Sequence, residues 1–123
     1  MKIYIPTRGR PYNQETLKWF PKEMQTNGQV VLVIDPDEEE KYWKYPDTPK
    51  MVVPEDCIGI GPKRKYIVEN TDDPRMVMLD DDLRFYIRKA QLTGTLDTLT
   101  QKSILLCLVC LMSGWIKVML MWV

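Results

Sequence analysis

A chain of 123 residues suits one compact domain, and its 17 basic and 17 acidic residues cancel, so no global field draws it to a polyanion or an anionic membrane. It has no histidine, which removes the commonest general base and transition-metal ligand and leaves carboxylate chemistry. Its three cysteines are an odd and sparse set for a disulfide framework and fit a reducing, cytoplasmic compartment.

Residues 2–5 read as a first strand, too short and too soon broken by Pro6 to be a secretory leader. Pro6-Thr7-Arg8-Gly9-Arg10-Pro11 must be loop, because two prolines and a glycine punctuate it. Arg8 and Arg10 can face a phosphate or an acidic cluster there, or simply solvate an ordinary βα loop. Asn13 is a good N-cap, and Leu17, Phe20 and Met24 recur at helical spacing, so a helix is expected over 14–24, bent or shortened by Pro21. Asn27-Gly28 ends it, and Val30 to Ile34 is a continuous apolar run, as in a strand covered on both faces.

That strand empties into Asp35-Pro36-Asp37-Glu38-Glu39-Glu40. Asp35 fits a helix cap, Pro36 the first helical position, and the acids the first turn. Asp35 also ends a strand, where a carboxylate can contact a ligand, and the two roles are compatible. Tyr42, Trp43 and Tyr45 are expected to pack on the sheet, with a stacking platform as the alternative. Met51 to Val53 forms a brief third strand, and Gly59 and Gly61 precede a helix expected over 63–70 with Pro62 at its first position. Lys63, Arg64 and Lys65 then crowd a helix start, where the dipole disfavours cations by roughly 0.3–1 kcal/mol each. A bound phosphate would offset this; a solvated basic face is the plainer reading.

A fourth strand over 76–79 runs into Asp80-Asp81-Asp82. Three adjacent carboxylates repel one another, and a hard cation, Mg²⁺ or Mn²⁺, is an economical compensation. In an extended chain Asp80 and Asp82 would point one way and Asp81 the other. The bland alternative is a solvated acidic turn. Residues 83–90 can continue as strand or short helix, with Arg84, Arg88 and Lys89 as a basic edge. Strand and helix alternate throughout, which predicts an α/β fold with a mostly parallel sheet and helices on both faces.

With these strand ends in order, residues 2–89 resemble the nucleotide-sugar-binding, Rossmann-like half of GT-A glycosyltransferases. The nearest likeness is to the phage-associated TET-associated glycosyltransferases, whose acceptors are hydroxymethylated pyrimidines of DNA. The resemblance implies that Pro6, Thr7, Arg8 and Arg10 touch the nucleotide, Asp35 the base or ribose, and Lys63 and Arg64 the diphosphate. Met78-Leu79-Asp80-Asp81-Asp82 is similar to the D-x-D motif, with Asp80 and Asp82 on the metal. It further implies a uridine diphosphate sugar as donor, Mn²⁺ or Mg²⁺ as cofactor, modified DNA as acceptor, and the cytoplasm of an infected host as the location. No general base is identified, since Asp97 is the one carboxylate after Asp82.

Residues 1–90 are therefore expected to form the donor-binding half-domain, with 91–123 a separate apolar segment. Residues 104–123 are almost wholly apolar and long enough to span a bilayer, but Lys117 near the middle would be expensive in lipid. A truncated or frame-shifted product is favoured over a membrane helix or a buried helix. Cys107 and Cys110 form a C-x-x-C in this run, without the second ligand pair that zinc needs. The leading expectation is thus a metal-dependent glycosyltransferase or a fragment of one. A two-metal nucleotidyltransferase or nuclease, recruiting Asp35, and an incomplete binding module are the alternatives.

Overall fold

Strand β1, Lys2–Pro6, lies between β2, Val30–Ile34, and β4, Met76–Met78, while β3, Lys50–Val52, flanks β2. The order is β3-β2-β1-β4, and all three pairings are parallel. These strands and the connections between them belong to a computed structural model that describes residues 1–88 and 96–98. A short antiparallel pair, β5 at Tyr86–Arg88 and β6 at Leu96–Thr98, follows the sheet.

Parallel strands need crossovers, and these cover both faces. All five residues of β2 are buried, the expected outcome for a continuous apolar run. Ile3, Ile5, Val30, Leu32 and Ile34 face one layer with Leu17, Phe20, Met24 and Tyr42. Tyr4, Val31 and Val33 face the other with Ile67. Each such aliphatic side chain contributes about 1.5–3 kcal/mol relative to exposure. The chain steps from β1 to β2 to β3 on the first layer, then returns across the second to β4. The crossover direction therefore reverses at β1, which opens a crevice between the carboxyl ends of β1 and β4. This is an α/β, Rossmann-like arrangement, as the alternation of elements predicts.

The helices depart from expectation. In place of one helix over 14–24 there is a 3₁₀ turn at Leu17–Trp19 and a short helix α1 at Lys22–Thr26. Pro21 adopts φ −56° and ψ 146° and separates them, since the residue before a proline is driven out of the helical region; Phe20 has ψ 142°. Thr16, not Asn13, stands at the N-cap of the first turn. Pro36–Lys44 is 3₁₀ rather than α, and Asp35 precedes it without making a side-chain cap. Helix α2 spans Ile60–Asn70 and starts three residues earlier than expected. Gly59 caps it at φ 107°, a conformation that side chains resist. Pro62 is its third residue, where the missing N–H costs little.

Residue 79 lies just past the end of β4, yet Leu79 N still donates to Tyr4 O at 2.9 Å, so the ladder reaches the aspartates. Among the described residues, no helix is long and apolar enough to cross a membrane. The expectations for residues 89–95 and 99–123, including the apolar run, its Lys117 and the C-x-x-C, lie outside the described residues.

Candidate functional site

Because the four strands are parallel, Thr7, Asp35, Val53 and Asp80 all leave the sheet at one edge. Between β1 and β4 this edge holds a cavity of about 330 Å³. Its lining includes Pro6, Thr7, Arg8 and Arg10 from the first loop, Lys63 from α2, and all three aspartates. Seven of the nine nominated site residues thus come together. Asp35 and Arg64 stand just outside the lining and reach it through their partners.

Thr7 organises the first loop. Its amide donates to Val33 O at 3.0 Å, extending the ladder past β1. Its hydroxyl donates to Asp81 Oδ2 at 2.6 Å, accepts from Gln14 Nε2 at 2.9 Å and lies 3.2 Å from the Tyr42 hydroxyl. Burial raises the Tyr42 pKa, and the Thr7 contact opposes that. Two residues on, Gly9 has φ 72°, and its amide donates to both Glu38 carboxylate oxygens at 3.0 Å. Glu38 is therefore a clamp on the loop rather than only a first-turn acid.

Asp35 lies beneath the loop, fully buried. Lys63 Nζ stands 2.8 Å from Asp35 Oδ1 and donates a hydrogen bond to Thr7 O at 2.9 Å. Arg8 closes the other side, 3.0 Å from Asp35 Oδ2. Asp35 is thus a buried counter-charge that fixes two cations, and it does not line the cavity where a second metal would sit. The cations of α2 lie beyond its first three residues, and each has a carboxylate beside it. Lys63 faces Asp35, Arg64 lies 2.6 Å from Asp80 and Lys65 lies 3.7 Å from Glu69. The anomaly in the sequence is answered within the protein.

The aspartates do not continue β4 as an extended chain. Asp81 and Asp82 form a turn, so strict alternation ends at Asp80, and all three residues line the cavity. Arg10 lies 3.6 Å from Asp81 and 3.3 Å from Asp82. Burial pushes the Asp81 pKa up, the neighbouring Asp82 charge adds to this, and Thr7 and Arg10 oppose it. Thr16 pins the turn from α1's side. Its hydroxyl donates to Asp80 O and accepts from Leu83 N at 2.9 Å, while its amide donates to Asp81 O at 3.1 Å.

Carboxylate oxygens on a strand end are the donors that Mg²⁺ or Mn²⁺ takes, in sites that commonly pair one or two carboxylates with substrate phosphates and water. Asp80 and Asp82 fit that donor set. Among the described residues, no group of three or more His, Cys, Asp and Glu is placed to hold a metal ion by itself. Asp81, adjacent to Asp80 and Asp82, supports them as its place in the triplet suggests, through Thr7; Gln14, Thr16 and Glu38 were missed as supports for the site. The polar residues Gln14 and Thr16 interrupting a helical apolar pattern were the one available hint.

A family model of TET-associated glycosyltransferases matches residues 1–110. The chain belongs to this family. As a TET-associated glycosyltransferase it requires a sugar donor and an acceptor, and its strand-edge cavity lies inside the matched region. Neither a search of curated proteins nor a search of solved structures gives a match.

Proposed function

We propose that this TET-associated glycosyltransferase takes a nucleotide-sugar, with a uridine diphosphate sugar as the expected donor, and transfers the sugar to a hydroxymethylated pyrimidine of DNA. The observation that supports this most is the convergence of a basic loop, a helix start and a carboxylate turn on one cavity. Asp80 and Asp82 would hold Mn²⁺ or Mg²⁺ there. When bound, the cation supplies Lewis-acid neutralisation of charge on the leaving diphosphate.

The chain's own residues do the rest of the positioning. Arg8 and Arg10 are half-exposed and can turn toward phosphate oxygens. Lys63 holds Thr7 O from below, which keeps the loop backbone at the cavity wall. Arg64 reaches the metal side through Asp80. Titration with a uridine diphosphate sugar and Mn²⁺ tests the reading. Binding should require the metal and disappear in Asp80→Asn and Asp82→Asn; Mn²⁺-dependent binding that survives both substitutions overturns the assignment.

A further inference from the structure

A second hollow, of about 370 Å³, opens behind the first loop and is lined in part by Tyr12, Gln14, Lys18, Lys22, Lys44 and Tyr45. No carboxylate among the described residues lines it. In a chain with equal numbers of acidic and basic residues, three lysines around one hollow make a local positive field. Lys18 is partly neutralised by Glu15 at 2.8 Å, and Lys44 donates to Tyr12 O at 3.3 Å, so Lys22 and Lys44 carry most of the available charge.

Tyr12 lines the hollow, and a second ring, Trp43, packs against it from outside the lining. Tyr12 is 58% exposed and Trp43 68% exposed, and they meet edge to face with centroids 6.5 Å apart. Their neighbour Tyr42 is fully buried. The aromatic cluster is therefore split, with Tyr42 in the core and Trp43 presented to solvent. A large ring in water beside lysines suits a stacked base with phosphates on either side, the pattern of single-strand recognition. A neutral sugar could use the rings but would have no use for the lysines.

The hollow is also connected to the strand-edge cavity. Tyr12 and Gln14 follow Arg8 and Arg10 in the same loop, and Gln14 Nε2 donates to Thr7 Oγ1 at 2.9 Å and Arg10 O at 2.8 Å. We propose that this hollow holds a single-stranded segment of acceptor nucleic acid, with phosphates on Lys22, Lys44 and Lys18 and an unpaired base on Tyr12 and Trp43. The word acceptor rests on the glycosyl-transfer reading; the binding itself needs neither donor nor cation.

The test is anisotropy of a dye-labelled, unmodified oligothymidine of about twelve nucleotides, without donor or divalent cation. The full chain should bind it. Trp43→Ala and Tyr12→Ala should each weaken binding roughly tenfold as stacking disappears. Lys22→Glu with Lys44→Glu should weaken it further and flatten the salt slope by about 0.7 for each phosphate that is no longer neutralised. Arg75→Glu, the same charge reversal as either lysine substitution by itself but placed beside the amino end of β4, should have little effect. These substitutions are at exposed positions, and matching melting curves would confirm that the variants fold. Failure of the full chain to bind, equal weakening by Arg75→Glu and Lys22→Glu, or unchanged binding in Trp43→Ala overturns the proposal. Donor titration in parallel separates the two readings: absent donor binding with intact oligonucleotide binding rejects the donor site alone, and the reverse rejects this one alone.

Discussion

Lys63 Nζ lies 2.8 Å from Asp35 Oδ1, with 4% and 0% of the two side chains exposed. Removing one member of a buried ion pair strands the other, at about 3–5 kcal/mol. Lys63→Met should therefore lower unfolding free energy by roughly that amount, moderated by Arg8, which keeps a hold on Asp35. The double variant Lys63→Met with Asp35→Asn should be more stable than Lys63→Met alone. Urea unfolding of the two variants checks this, and a double variant less stable than the single one contradicts it.

The aspartate turn depends on one hydroxyl. Thr16→Val keeps the shape but leaves Asp80 O and Leu83 N without their partner, at about 1–3 kcal/mol for the buried groups. Stability should fall by that order and donor affinity with it, whereas Thr16→Ser should retain most of both. Comparing melting temperature with donor titration for the two variants reads the two effects separately.

In the first loop, Gly9 and Glu38 fail differently. A Cβ on Gly9 meets nothing within 4 Å, but φ is +72°, so Gly9→Ala should cost about 1–2 kcal/mol through backbone strain alone. Glu38→Ala removes the acceptor of the Gly9 amide and should loosen the loop, seen as faster amide exchange at Gly9 and weaker donor binding. Unchanged exchange at Gly9 in Glu38→Ala would show that the loop is held otherwise.

Asp81 sets a pH dependence. Its pKa is raised in the folded protein by burial, so the unfolded chain gives up this proton at lower pH than the folded one. The neutral acid is the form the fold prefers. Its stabilising share is full below the unfolded carboxylate range and is lost as pH rises through the raised value. Asp81→Asn mimics the neutral form and accepts from Thr7 through its amide oxygen. It should melt higher than the parent at pH 7, and the difference should shrink on acidification as the parent's Asp81 protonates. Thermal melts across that range check the sign.

The sequence by itself determined the sheet and its working edge. Val30 to Ile34 is apolar and mostly β-branched, which suits a strand covered on both faces, and parallel crossovers deliver every strand end to one edge. That is why the loop after β1 and the aspartates after β4 can be nominated together from residue order alone. Helix type and helix ends were less legible: Pro21 interrupts the first helical stretch as expected, but the 3₁₀ turns and the start of α2 at Gly59 depend on backbone geometry that periodicity does not register.

Only the tertiary structure decided which charge meets which. Thr7 reaches Asp81 across 74 positions, and Lys63 reaches Thr7 O across 56. Such pairings depend on how two crossovers pack and on a turn at Asp81 that overrides strand alternation. The same packing buries Asp35 and Tyr42 and leaves Trp43 in water, although the residue types alone permit either placement. Local chemistry names the candidates for contact; the packing of the chain selects among them, because burial makes an unpaired charge far more costly than a solvated one.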